Sequence, residues 1–378
     1  MTEARLRVLL VLGTSTGGIG QHVRSLAHGL VDRHHQVVVA GPLETDQLFG
    51  FGTLGARFVS TPIGVTPTPR DLAVARQLGR WVRGADVVHA HGFRAGLVAL
   101  ASGAGSSWPV AGVRRADVPL IVTWHNQVLT TGVRGAAMHR AERIVARGAS
   151  LNLGASSDLV RQAIDSGGKA ELGLVAAPQV TEPDRERTEV RAELGIDEAP
   201  MLLAVGRLHP QKDYPTMLKA VAQLQSRTPQ PVLVIAGDGP DATHIAALAG
   251  QLSVRARLLG RRDDIADLMR AADVLVLSSV WEARALVVQE AMQLGLPVVA
   301  TDVGGIPDLV GDAALVVPSN APKSLAGALE EVLDNPDEAH KRADRAREVA
   351  ARWPDEDAVV DRVLQAYEEV GAGAGRPR

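Results

Sequence analysis

Along nearly its whole length the chain alternates between short apolar runs and longer segments whose apolar residues recur at helical spacing. That alternation restricts the fold more than any other feature. A strand, a helix and a second strand of the same sheet form a right-handed parallel crossover, and repeating the unit builds a doubly wound parallel α/β sheet. The runs at 7–12 (RVLLVL), 201–205 (MLLAV), 232–236 (VLVIA) and 274–277 (VLVL) are apolar throughout rather than at every second position. Strands covered by helices on both faces read this way.

Two such series are visible. In the first, strands are expected at 7–12, 36–40, 58–60, 87–91, 120–123 and 151–155, with a last one starting at Val175. Helices are expected at 23–33, 70–84, 94–101, 135–147 and 158–164, and the Gly- and Ser-rich stretch 102–117 reads as a loop. A charged, Pro-containing segment at 181–199 places a linker at about 177–186. The second series has strands at 201–205, 232–236, 256–259, 274–277, 298–300 and 314–317. Its helices end with 324–333, 338–353 and 355–370. The expected organisation is a domain at 1–180, a second at 181–354, a helix at 355–370 returning toward the first domain, and a disordered tail at 371–378. A chain of 378 residues is long enough for two cores.

Composition narrows the function classes. There is no cysteine, which excludes disulfides and thiolate metal sites. The apolar run near the N-terminus ends at Gly13 without a signal-peptide cleavage pattern, and no run reaches the ~20 apolar residues of a membrane helix. A cytoplasmic protein is expected. Charge is unevenly spread: residues 1–180 carry 18 basic and 11 acidic side chains, residues 181–378 carry 22 and 32. A basic first half suits an anionic acceptor, peripheral contact with an anionic membrane at its inner face, or a solvated surface. On 70–84, Arg76, Arg80 and Arg83 share one helical face, with Leu78 and Trp81 nearby. Nothing points to nucleic acid.

The residues with chemistry sit where strands end. Glu282 and Glu290, eight positions apart, fall in the loop after 274–277 and in the early turns of the next helix. In an open α/β sheet that rim is where ligands bind, although acids near a helix start also suit its dipole. Gly206-Arg207-Leu208-x-x-x-Lys212-Asp213 follows the first strand of the second series. Arg207 with its planar fork and Lys212 as a point charge can converge on a diphosphate; two surface cations are the plainer reading. The glycines of 13–20 (GTSTGGIG) follow a strand and open a helix, so backbone N–H groups there can approach a phosphate or a sugar. A dinucleotide fingerprint fits poorly. No G-x-G-x-x-G frame closes, no carboxylate ends the second strand, and neither Tyr214 nor Tyr367 is followed by Lys four residues on. His125 ends the 120–123 strand. His89 and His91 face one side of 87–91, but no third ligand lies near in sequence, so no metal is expected. Asp355-x-Asp357, the sole D-x-D, reads as a helix cap.

Glu282-x7-Glu290, followed by Gly-x-Pro-Val-Val-Ala and Gly304-Gly305-Ile306-Pro307, resembles the retaining glycosyltransferases of sequence family four, of actinobacterial type. The resemblance covers nearly the whole chain and is strongest over 201–318. Two departures stand out: Ala283-Arg284-Ala285 replaces the usual Gly or Ser, Phe, Gly or Pro, and Asp213 replaces a usual Gly. The resemblance implies the GT-B fold, two Rossmann-like domains facing a cleft. It implies a UDP- or GDP-linked sugar donor and a hydroxyl acceptor such as a glycolipid, an inositol phosphate, phosphatidylinositol or a cell-envelope glycan, with no cofactor and no metal. It implies that Glu290 takes the ribose hydroxyls and that Arg207 and Lys212 take the diphosphate. Glu282 and backbone N–H groups near Leu286 would hold the sugar, His125 would hydrogen-bond to it, and the residues at Gly18, Gly20 and Arg261 would border the donor. Two other readings fit the same fold: an epimerase or phosphorylase, and a weakly catalytic sugar-nucleotide-binding protein.

Overall fold

The structure is a computed structural model that describes residues 5–105, 116–129, 132–178, 180–196 and 198–372 of the 378. In chain order its elements are β1 Arg7–Leu12, α1 Gly18–Asp32, β2 Gln36–Gly41, α2 Leu43–Phe49, β3 Arg57–Ser60, α3 Asp71–Gly84, β4 Val87–His91, α4 Phe93–Ala101, β5 Leu120–Trp124, α5 Gly132–Gly148, β6 Leu151–Gly154, α6 Ser157–Asp165 and β7 Ala170–Leu172. The second series runs α7 Arg187–Leu194, β8 Met201–Val205, α8 Tyr214–Val221, β9 Val232–Ala236, α9 Ala242–Gln251, β10 Ala256–Gly260, α10 Ile265–Ala271, β11 Val274–Leu277, α11 Leu286–Leu294, β12 Val298–Thr301, α12 Ile306–Val310, β13 Leu315–Val317, α13 Pro322–Asp334, α14 Pro336–Ala350 and α15 Glu356–Glu369.

Two compact units result. The first comprises Met1–Ala176 and Pro354–Arg378, and the second Ala177–Trp353. The first holds a parallel sheet in the order β3-β2-β1-β4-β5-β6-β7. The second holds a parallel sheet in the order β10-β9-β8-β11-β12-β13. In each, the strand order reverses between two neighbours, β1 and β4 in the first and β8 and β11 in the second. At such a switch point the loops leaving the carboxyl ends part to opposite faces and leave a crevice.

The all-apolar strands have the expected cause. In β8, Met201 and Leu203 enter one core while Leu202 and Ala204 enter the core on the opposite face. In β11, Leu275 and Leu277 share the first of these, and Val274 and Val276 the second. Alternate side chains thus meet two helix layers, and every position but the last of β8, the partly buried Val205, is buried.

Helix α15 belongs to the first unit. Its Val360, Val363, Ala366 and Tyr367 join the core formed by β1, β2 and α1. Gly29 of α1 leaves the space: a Cβ there would lie 2.5 Å from Val360 Cγ2. Arg33 bridges Asp357 at 3.0 Å and Asp361 at 2.9 Å, and Arg362 pairs with Glu171. Asp355 caps the helix, accepting from Ala358 N–H.

Several elements differ from the sequence reading. The charged segment 181–199 carries α7 directly after the expected 177–186 linker, and its Val190 and Leu194 face the second core. Arg191 is buried there and donates to Ala271 O and Ala199 O. No strand starts at Val175; the last strand of the first sheet is β7, five residues earlier. Helix α2 had no strong periodic signal. Residues 106–115 of the expected 102–117 loop and 373–378 of the expected tail lie outside the described residues, while Ala372 N–H closes α15 onto Tyr367 O.

Candidate functional site

In the second unit the loops after β8 and β11 flank the switch point, and they are tied to each other. Lys212 Nζ lies 2.6 Å from Glu282 Oε1. Ser279 Oγ donates to the same oxygen at 2.7 Å. The 3-10 turn Pro210–Lys212 is bonded to the β11 loop from several directions: Gln211 Nε2 donates to Trp281 O, Val280 N–H to Gln211 O, and Ser278 Oγ to the carbonyls of Lys212 and Asp213. Lys212 is therefore aimed by backbone contacts as well as by its ion pair.

Asp213 explains its own departure from glycine. It adopts φ +47°, the left-handed region that glycine favours, and its carboxylate accepts from Thr216 N–H to cap α8. Aspartate tolerates that backbone because its short side chain bonds locally. Gly304 is more constrained. Its φ is +54°, and a Cβ would stand 2.0 Å from Glu282 O. Gly305 N–H donates to that carbonyl at 2.8 Å, so the Gly-Gly loop after β12 holds the Glu282 loop from behind.

Glu290 lies in the second turn of α11, partly buried, with no ion pair or hydrogen bond among the described residues. Burial pushes its carboxyl pKa up. Leu286 is the first residue of α11, and the helix's first N–H groups lack intrahelical partners there. Arg207 is exposed and makes no ion pair among the described residues. Arg261, also exposed, stands 3.9 Å from Asp263 in the turn after β10. Gly237 N–H donates to Gly260 O, and a Cβ on Gly237 would lie 2.0 Å from Gly206 O. The turns after β8, β9 and β10 therefore pack backbone against backbone.

Arg284, where phenylalanine is usual, points inward. Its guanidinium carbon is 5.8 Å from the Trp353 ring centre. With the Gln289 amide oxygen turned toward it, Nε and Nη2 each donate over 3.2 Å. Burial pushes the guanidinium pKa down. The flat cation fills an aromatic's place by stacking.

The first unit has its own cluster at the β1–β4 switch point. His22 from α1, His91 at the end of β4 and His125 after β5 are all buried, and one ring nitrogen of each lies within 4.8 Å of the others. His91 Nδ1 and His125 Nε2 are 3.3 Å apart, and the His22 ring meets both edge-on, with centres 5.4 and 5.2 Å away. Burial lowers the pKa of His22 to about 4 and holds His91 and His125 well below 6.5. Neutral imidazoles can donate, accept or ligate a metal. The spacing that showed no third ligand near His89 and His91 missed this, because His22 and His125 arrive from other strands' ends. His89 is structural: it shares hydrogen bonds with Tyr367 Oη at 3.0 Å and Thr123 Oγ1 at 2.7 Å. Gly18 starts α1 and is exposed. Gly20 is buried instead, since a Cβ there would lie 2.0 Å from Phe49 Cε2, and it serves packing of α1 on α2. On α3, Arg76, Arg80 and Arg83 are exposed, but Leu78 is buried and offers no surface contact.

A cation pair beside two carboxylates at a strand rim can hold an anion and several hydroxyls together. Residues 186–349, which contain Arg207, Lys212, Glu282 and Glu290, match the family model of glycosyl transferases group 1, and residues 17–178 match that of the glycosyl transferase 4-like domain. The chain carries two glycosyltransferase domains, a 4-like one followed by a group 1 one. This glycosyltransferase is 28% identical over 291 residues to the alpha-D-kanosaminyltransferase of Streptomyces kanamyceticus, covering 71% of its own length and 75% of the relative's. It is 33% identical over 183 residues to the D-inositol 3-phosphate glycosyltransferase of Rhodococcus erythropolis, covering 45% of itself and 40%, less than two thirds, of that relative. In fold it is similar to Anabaena HepE in complex with UDP, with TM-score 0.79 and 21% identity over 96% of this chain and 100% of that one. Both units have the doubly wound parallel sheets of the GT-B fold.

Proposed function

We propose that this glycosyltransferase moves a sugar from a UDP- or GDP-linked donor to a hydroxyl of an acceptor, with retention at the anomeric carbon and without a metal ion. One observation carries most weight. The β8–β11 switch point holds Lys212 locked to Glu282 beside a partly desolvated Glu290 that has no protein partner among the described residues. A carboxylate partly desolvated and unpaired is costly unless something else bonds to it, and paired ribose hydroxyls supply two donors. Arg207 and Lys212 take the diphosphate, and their charge does the work a divalent ion would do. Glu282 and the first N–H groups of α11, from Leu286 onward, take sugar hydroxyls. Arg261 and Gly18 border the donor, and His125, neutral, hydrogen-bonds to the sugar.

In the reaction, the acceptor oxygen bonds to the anomeric carbon on the face the diphosphate leaves. The bond from that carbon to the diphosphate oxygen breaks, and this oxygen takes the acceptor's proton. Negative charge grows on the leaving group, so Arg207 and Lys212 bind the transition state more strongly than the ground state. The similarity to a D-inositol 3-phosphate glycosyltransferase supports a polyhydroxy acceptor; anionic acceptors and glycolipids suit the basic first half. No helix among the described residues is long and apolar enough to cross a membrane.

The test is transfer from labelled UDP- and GDP-sugars to inositol phosphates and glycolipids, with the product's anomeric configuration read by NMR. Inverted product, or interconversion of donor sugars without transfer, would reject the reading. Activity that vanishes with EDTA and returns with Mg²⁺ or Mn²⁺ would reject the metal-free part alone.

A further inference from the structure

At the amino ends of β1 and β2, the end of the first sheet opposite the switch-point crevice, lies a cavity of about 750 Å³. Its lining includes four arginines and two histidines and no carboxylate. Arg7 is already held by Asp86, through Nη2 to Oδ1 at 2.5 Å and Nε to Oδ2 at 3.1 Å. Arg5, Arg57 and Arg80 make no ion pair among the described residues. Arg57 from β3 and Arg80 from α3 both stand over the Trp81 indole, their guanidinium carbons 4.6 and 5.6 Å from its centre. Attraction to the indole holds two like charges at the same ring, and neither makes an ion pair among the described residues. Val31 and Val38 continue the wall with apolar surface.

We infer that this cavity is a second ligand site, which takes a phosphate group on Arg57 and Arg80 and an apolar or ring portion against Trp81. Two guanidinium forks, one from β3 and one from α3, meet at one ring. A tetrahedral phosphate presents oxygens to both, whereas a flat carboxylate matches one fork in its plane. The site does not depend on the transfer reading, because acceptor and donor chemistry sit at the carboxyl ends of the strands. The same phosphate chemistry occurs on a soluble phosphate ester and on a phospholipid headgroup.

The experiment labels the full chain with 5-fluorotryptophan and assigns the Trp81 ¹⁹F resonance from Trp81→Phe. Inorganic phosphate is titrated at constant ionic strength against chloride, and vesicles of phosphatidylglycerol are compared with vesicles of phosphatidylcholine. We expect a saturable shift of the Trp81 resonance with phosphate and not with chloride. In Arg57→Gln/Arg80→Gln it should weaken about tenfold or more, the factor expected when charge-assisted hydrogen bonds are lost. A shift with phosphate assigns a soluble ligand. A silent phosphate titration with Arg57- and Arg80-dependent binding to phosphatidylglycerol vesicles assigns the headgroup. A resonance that moves with neither, moves equally with chloride, or moves unchanged in the double variant overturns the site. Each readout is independent of sugar transfer, so loss of transfer activity would not be mistaken for loss of this site.

Discussion

Lys212 Nζ and Glu282 Oε1, 70 residues apart in the chain, are 2.6 Å apart in the fold. The lysine is thus neutralised by the carboxylate proposed to hold the sugar. Glu282→Gln should free its charge for the diphosphate. We expect tighter binding of free UDP or GDP in that variant together with a lower kcat, because a neutral amide with a single acceptor oxygen replaces the charged carboxylate at the sugar hydroxyls. Calorimetry and steady-state kinetics on one preparation check this. Weaker nucleotide binding would show that Glu282 holds Lys212 in place instead.

Lys212→Ala and, more strongly, Arg207→Ala should lower kcat more than they weaken donor binding. The charge they meet is largest in the transition state. A rise in KM at constant kcat would mean that both bind ground and transition states alike.

Glu290 links stability to binding. Its pKa is raised by burial, so the folded state disfavours the ionised form relative to the unfolded chain. Stability from this group is therefore present at low pH and lost as pH rises through the raised pKa. Glu290→Gln should raise Tm at neutral pH and weaken nucleotide binding by about 1.5–3 kcal/mol, or about ten- to a hundredfold. Unchanged affinity for both UDP and GDP would remove the ribose role.

The buried histidines give the opposite sign. The unfolded chain protonates histidine near pH 6.5, while folded His22 waits until about 4 and His89 until about 3. Between these values the unfolded state binds more protons, so stability falls as pH falls from 6.5 toward 4. Chemical denaturation over that range should show a smaller loss in His22→Gln than in the parent chain.

Gly304→Ala should be severe for its size. The new Cβ meets backbone, Glu282 O at 2.0 Å, and φ is +54°, so neither neighbour can yield cheaply. We expect a lower Tm and a larger fall in kcat than a surface Gly→Ala such as Gly327→Ala, whose Cβ meets nothing within 4 Å.

What the residues alone determined is local. Fully apolar strand runs separated by helical periodicity are compatible with little besides parallel sheets covered on both faces, and β8 and β11 show each run feeding two cores. The placement of Glu282 in a loop and Glu290 in the second turn of α11 follows from where one apolar run ends and the next amphipathic segment begins. Helix α7 was hidden because its charges outnumber its apolar residues. It forms where Val190 and Leu194 find a core and Arg191 finds carbonyls, which are tertiary facts.

The tertiary structure alone decided which residues meet. Strand order in a parallel sheet is not chain order: β8 lies beside β11, with two other strands between them in sequence, and only that adjacency brings Lys212 to Glu282. The same reversal at β1 and β4 gathers His22, His91 and His125 from three separate elements. Gly20, read as part of a ligand loop, also leaves the room that Phe49 fills, because what a glycine does depends in part on what stands where its Cβ would be. Periodicity records whether a side chain faces inward; the identity of its neighbour is set by crossovers whose ends lie far apart along the chain.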